Sequence, residues 1–490
     1  MISDTSDVLD FSDTELSTLD ESEAEFESSS TPDYAQDYID FTYSNPTTFH
    51  VIEYFKKKLI ANGFTYIKEG EPLTEGTSGL FFSIRSNLSL VAFVKGKKWT
   101  YQKGVGVVAG HVDSLAIKLK PVSLHKSIDG YEMLGVAPYS GSMNKLWLDR
   151  DFGIGGAVYY KSGEDIKMKT IDSTPHPIAK IPKLAEHFGL DDKLANYNEE
   201  TQMAPIIGYS NGHSMEKPTP EEGKSPLVDK HPIKLLRYLA KLANKPLADI
   251  VGLDLELYDV QKGHIGGLNN EFIFAPRIDD RLCSYLAILG LIRFAKSFSD
   301  EDLESYDGFN IAYLVNNEEI GSLTRTGAHG KFLNSVIAKV TQANESELNL
   351  IFANSIILSA DVTHAFNPNF KECYLDKNFP IPNVGLTLKV DSNQHVMTDT
   401  VGIVVMEQVA AKNDLVLQRF HIRNDSRSGG TIGPIMATNT GARVVDVGLP
   451  QLSMHSIRAM CGSKEVALGI ATFSAFYKDW RQAYNSVEDL

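Results

Sequence analysis

Cysteine is scarce in this chain: Cys283, Cys373 and Cys461 are the only three in 490 residues. Their wide spacing fits neither a disulfide scaffold nor a cysteine zinc knuckle, and folding in a reducing compartment is the simplest reading. Basic residues are missing from the start of the chain, where the first is Lys56. Long apolar runs are missing too. No segment reaches the length of a membrane span, and the N-terminus lacks the basic start and apolar stretch of a secretory signal. The formal net charge of −16 argues against the basic face that a nucleic-acid partner would require.

What is present is ordinary for a soluble globular protein, with 42% hydrophobic and 22% charged residues. The length predicts two domains or one elaborated domain. Residues 1–42 are compositionally distinct, as in "SDTELSTLDESEAEFESSSTPD". So acidic a stretch buries too little apolar surface to offset its chain entropy and reads as a disordered tail. A propeptide or targeting segment is the second reading, because Val8, Leu9, Phe11, Leu16 and Leu19 could form a short helical stripe. Folded structure is expected from about Tyr43. The spacing in "TTFHVIEYFKKKLIANGF" predicts a helix capped by Thr47 or Thr48 and stopped at Gly63.

Residues 126–262 are rich in glycine, proline and turns, and read as an inserted β-rich domain. Their "GIGG" lacks the spacing and strand–helix context of a dinucleotide loop. On either side, 43–125 and 263–490 contain short apolar strands alternating with helices. That pattern predicts one α/β domain, a mixed sheet with helices on both faces.

Several of these strands end in metal-binding side chains. "GVGVVAG" runs into His111 and Asp113, "IAYLV" into Glu318 and Glu319, and "IILSA" into Asp361. "VVDVG" is followed closely by His455, and Asp279 precedes a helix in "APRIDDR". In open α/β sheets ligands gather beyond the carboxyl ends of strands, so these separated residues could converge. Two histidines and three carboxylates suit a pair of zinc ions about 3.5–4 Å apart, one histidine and one carboxylate to each and one aspartate shared. Taken singly, a strand-end histidine or a Glu-Glu pair is more often structural or solvent-exposed; the joint order is what points to a metal site.

"GHVDS", "APRIDDR", "NNEEIGS", "SADVTHAFNPNF", "NDSRSGGTIGP" and "LPQLSMHSIRAM" resemble the aspartyl aminopeptidase family of zinc metallopeptidases. "NPTTFHV", "LWLDRDFGIGG" and "DVQKGHIGG" are similar to its fungal vacuolar aminopeptidase branch. The resemblance implies that His111 and Asp361 hold one zinc, Glu319 and His455 the other, and Asp279 bridges them. It implies Glu318 as general base and Asp113 as the residue that orients His111. His364 resembles a substrate-contacting position, and His187 matches a histidine that the family supplies across a subunit boundary.

The expected activity is removal of N-terminal residues from peptides, leucine-type by branch resemblance. Lys389 is similar to a lysine that contacts acidic side chains in the aspartyl branch, so aspartyl or glutamyl specificity is the alternative. The alternation in "LTLKV" instead places Lys389 on a wet face. A two-metal carboxypeptidase or aminoacylase would use the same strand-end chemistry. An inactive cargo or scaffold protein would keep the same fold without the metals. The resemblance further implies dimers assembled into a dodecamer, with the inserted domain mediating subunit contact. It also implies synthesis in the cytosol and delivery to the vacuole lumen, with an autophagy cargo receptor recognising the N-terminal segment; a cytoplasmic location is the alternative.

Overall fold

The computed structural model describes residues 33–73, 77–188, 197–210 and 216–487. The proposed helical stripe of Val8 to Leu19 lies outside the described residues.

A nine-stranded mixed sheet forms the frame. Its four central strands, Phe309–Val315, Gly106–His111, Ile356–Ala360 and Arg443–Gly448, run parallel. Antiparallel neighbours flank them, Ser89–Lys95 on one side and Thr387–Val390 on the other. The central strands are apolar on both sides, as a sheet covered twice requires. Val108, Ala312, Leu314 and Leu358 pack beneath helices Ile278–Ala295, Thr400–Lys412 and Glu465–Asn485. Val107, Ile311, Tyr313 and Ile357 face helices Phe332–Thr341, Glu345–Ala353 and Gly433–Thr440. The mixed sheet with helices on both faces agrees with the expectation from sequence. Because the central strands are parallel, their carboxyl ends at His111, Val315, Ala360 and Gly448 share one edge.

A second sheet holds strands between Ala116 and Asp259 and closes on itself. Ile250–Asp259 pairs with both Ala116–Leu124 and Asp151–Ser162, joining six strands into a barrel with Asp165–Asp172 alongside. The "GIGG" glycines lie on Asp151–Ser162, against Ile250–Asp259. A Cβ at Gly156, where φ is +137°, would sit 2.2 Å from the Asp254 carbonyl oxygen, so close strand approach explains this glycine. The barrel begins at Ala116, upstream of the expected boundary at 126, because Ala116 and Ile117 already pair with Tyr139 and Pro138. A third sheet, which the sequence did not predict, pairs Phe272–Ala275, Ala459–Gly462 and Pro450–Leu452 with two short flanking strands.

The helix expected near Thr47 spans Thr48–Ala61, and Gly63 follows it at φ +85°. Thr47 is the N-cap residue, but its hydroxyl hydrogen-bonds His50 Nδ1 at 2.8 Å and no backbone N–H. An earlier helix, Tyr34–Ser44, corrects the expected tail of 1–42. Tyr38, Ile39 and Phe41 are buried there, with Tyr38 and Phe41 against Tyr285. No described helix is long and apolar enough to cross a membrane.

Candidate metal centre

His111 ends its strand almost fully buried. Asp279 enters the next ligand-bearing element with non-helical backbone angles at the head of helix Ile278–Ala295. Its two oxygens face the two histidines: Oδ1 lies 3.2 Å from His111 Nε2 and Oδ2 lies 3.3 Å from His455 Nε2. Asp361, one residue past its strand, lies 3.9 Å from His111 Nε2, and Glu319 lies 3.7 Å from His455 Nε2. Glu318 approaches His111 Nε2 to 3.9 Å. The five residues expected as ligands thus meet at the carboxyl edge of the sheet, with Asp279 in the middle. Ligand atoms of His111, Asp279 and Glu319 lie within 4.8 Å of one another.

Asp113 sits behind His111. Its Oδ1 lies 3.4 Å from His111 Nδ1, and its carboxylate accepts the backbone N–H groups of Glu318 and Glu319 at 3.1 and 3.2 Å. Burial opposes charge on Asp113, yet His111 and these donors hold its pKa below the usual carboxylate range. The Asp113 carbonyl oxygen is nearer to His111 Nδ1, at 3.1 Å, and partners of both kinds orient metal-binding histidines.

The electrostatics are those of anions crowded into a buried site. Burial, together with repulsion from Asp361, Asp113 and Asp279, pushes Glu318 up to about 7. Burial and the charge of Asp279 push Glu319 up to about 8. The hydrogen bond to Asp279 raises His455 to about 9. Glu319 Oε1 is buried with no hydrogen-bond partner among the described residues. Three carboxylates and two imidazoles, with one oxygen of Glu319 orphaned, form a donor set that a borderline dication fits.

A family model, Aminopeptidase I zinc metalloprotease (M18), matches residues 41–477. The chain belongs to the M18 aminopeptidase family. It is therefore a zinc metalloaminopeptidase by family. Vacuolar aminopeptidase 1 of Saccharomyces cerevisiae is 49% identical over 468 residues, 94% of this chain and 90% of that protein. Aspartyl aminopeptidase 1 of Schizosaccharomyces pombe is 35% identical, covering 91% of this chain and 95% of its own length. The solved dodecamer of mApe1 from S. cerevisiae superposes with a TM-score of 0.84 at 46% identity, covering 93% of this chain and 99% of that one.

In this M18 chain a cavity of about 660 Å³ opens on Asp279, Glu318, Glu319, Asp361 and His455. His364 lines it, with its ring 6.2 Å from that of Phe420. Lys389 also lines it, which corrects the solvent-facing expectation. The side chain is only 8% exposed, and its Nζ lies 3.9 Å from Asp361 Oδ2. The strand alternation misled because this sheet has no wet face at Lys389. His187 is exposed, stacked on Phe188, and lines no part of this cavity.

Sequence reasoning missed Asp280. Fully buried, it accepts the His111 backbone N–H at 3.3 Å and that of Val362 at 3.2 Å, tying two ligand-bearing strand ends together. It also lies within ligand distance of His111 and Asp361. With both its oxygens engaged by backbone, it acts as a clamp. The doublet in "APRIDDR" was the available signal.

Proposed function

We propose that this chain is a two-zinc aminopeptidase that removes single neutral, apolar residues, leucine-type, from peptide N-termini. The observation that carries the reading is the meeting of His111, Asp279, Glu319, Asp361 and His455 at one cavity, with Glu318 beside them. His111 and Asp361 would hold one zinc, Glu319 and His455 the other, with Asp279 shared. Bound zinc supplies Lewis acidity, which polarises the scissile carbonyl and acidifies water. Glu318 takes the proton of the attacking water and delivers it to the leaving amine. Asp113 holds His111 in the ligating tautomer. The crowded carboxylates favour a substrate's free α-ammonium group, which restricts cleavage to the N-terminal residue.

The neutral preference rests on the cavity wall, where Val390, Val396, Phe420, Ile422, Ile435 and Met454 are apolar. Lys389 is in the same wall but faces Asp361, which offsets its charge. A second reading, removal of aspartyl or glutamyl residues, is favoured by the burial of Lys389, because an ammonium in a desolvated pocket prefers an anionic side chain.

The assembly proposed is a closed homo-oligomer built from dimers, a dodecamer in the manner of the mApe1 relative, with His187 acting across a subunit boundary and His364 touching substrate. Val122, Leu124, Ile128, Tyr131 and Tyr209 are exposed on the barrel and support subunit contact there. Vacuolar delivery after cytosolic synthesis, through a receptor that reads the N-terminal segment, completes the proposal.

The test measures zinc per chain and compares kcat/KM for Leu-, Asp- and Glu-anilides and an N-blocked peptide, in wild type and Lys389→Ser. Two zincs per chain and a leucine preference are expected. Cleavage of the blocked peptide would overturn the aminopeptidase reading. An acidic preference that disappears in Lys389→Ser would replace leucine-type specificity with the aspartyl kind.

A further inference from the structure

Tyr139 ends the barrel strand Tyr131–Tyr139, yet its hydroxyl reaches the metal centre. It donates to Asp113 Oδ2 at 2.8 Å and accepts from Asn317 Nδ2 at 2.9 Å. Asn317 directly precedes Glu318 and Glu319 and adopts φ +62°, a left-handed conformation that asparagine tolerates better than most residues. Its Oδ1 accepts the hydroxyls of Thr324 and Thr326 at 2.8 and 3.2 Å, and its carbonyl accepts the Ser322 N–H at 2.7 Å. One hydroxyl therefore joins two supports of the site. On one side is the carboxylate behind His111; on the other is the turn that presents both glutamates.

We propose that Tyr139 is a positioning residue for the reaction, through which the barrel sets the orientation of His111, Glu318 and Glu319. The inference rests on the two-zinc reading above. Asp113 Oδ2 also receives the Glu319 N–H, so Tyr139 supplies its only hydroxyl donor among the described residues, in a charge-assisted bond. Removing it takes one of the two donors from Asp113 Oδ2, leaving the carboxylate held by backbone N–H groups alone, and leaves the Asn317 amide without its acceptor. The ring has a separate packing role, with the Lys118 ammonium 5.5 Å from its centroid. Phenylalanine keeps that packing and deletes only the hydroxyl, so the two roles separate cleanly.

The experiment uses the intact zinc-loaded protein and compares Tyr139→Phe with wild type and with Tyr160→Phe, another barrel tyrosine. Loss of a hydrogen bond behind a metal-binding histidine typically costs about 10–100-fold in metal affinity or activity. The expected result is a kcat on Leu-anilide lower by that factor, KM within about threefold, and zinc released at correspondingly lower chelator concentration. In an Asp113→Ala background the same change should have a smaller effect, since only the bond to Asn317 remains to be lost. Tyr160→Phe should match wild type. Unchanged kcat and unchanged zinc retention in Tyr139→Phe would overturn the proposal. So would a variant that fails to fold, or whose activity falls only in step with its melting temperature. Wild type lacking two zincs or activity on Leu-anilide would instead overturn the reading on which the inference rests.

Discussion

Glu318 and Glu319 are adjacent in sequence, line the same cavity, and are assigned different work. Glu318→Gln should lower kcat by at least the 10²–10⁴-fold, roughly, that general-base catalysis contributes, while metal analysis still finds both zincs. Asp279→Ala should lose both metals, because one change removes the carboxylate facing both histidines. The five donors were legible because four of them end or closely follow an apolar strand or open a helix, where side-chain chemistry interrupts an otherwise monotonous pattern, and His455 lies in a loop a few residues beyond its strand. Asp280, Tyr139 and Asn317 were not. Their work is done on backbone or on residues brought near only by the fold, and the aspartate doublet of "APRIDDR" was the one local mark. For Lys389 the resemblance pointed to the pocket and alternation to a wet face; alternation failed because it reports a wet face only where the sheet has one.

Among the elements, helix Tyr34–Ser44 has the clearest consequences. Besides burying Tyr38, Ile39 and Phe41, it holds the strand leading into Asp279: Thr42 Oγ1 donates to the Pro276 carbonyl, and Arg277 donates to the Thr42 carbonyl at 2.7 Å. Burying one such side chain is worth about 1.5–3 kcal/mol. A chain beginning at Tyr34 should therefore melt like the full chain. One beginning at Asn45 should lose several kcal/mol and much of its zinc, measured by denaturant unfolding and metal analysis. Proteolytic trimming that spares activity must stop before Tyr34. The sequence hid this helix because the average acidity of the first segment masked its apolar residues.

Glu465 heads the final helix fully buried. Its Oε1 accepts the Asn383 N–H at 2.6 Å and its Oε2 has no partner among the described residues. Burial outweighs that hydrogen bond and pushes its pKa up to about 8. The folded protein then holds a proton that the unfolded chain releases above the ordinary glutamate value of about 4.3. Stability from this group is greatest below that value and is lost as pH rises to about 8. Glu465→Gln should flatten that part of the stability–pH curve and stabilise the protein above pH 8, by an amount of order a few kcal/mol. Urea midpoints at pH 5.5 and 8.5 measure the difference, and parallel curves would rule out this group as the cause.

At the scale of the whole molecule, the barrel is where fold and proposed assembly meet. Replacing Tyr131 and Tyr209 with aspartate should reduce the assembled mass measured by light scattering, since their rings pack 5.0 Å apart on the exposed barrel surface. If His187 acts across that boundary, the same variant should lose activity while keeping its zinc. The turn-rich composition set most of this region apart in the sequence. Its first strand did not stand out, because "AIKLKPVSL" has the same texture as the strands before it.

The barrel interrupts the chain between His111 and Asp280, whose contact spans 169 residues. The metal centre therefore depends on contacts between distant parts of the chain, and loops that long are slow to close. On a ribosome His111 emerges early and stays unmatched while the whole barrel is made, and His455 completes the donor set later still. Zinc loading is thereby a late event in the life of each molecule. A nascent chain halted inside the barrel has His111 with Asp113 behind it and none of the other four donors, so incomplete products of synthesis cannot assemble the site.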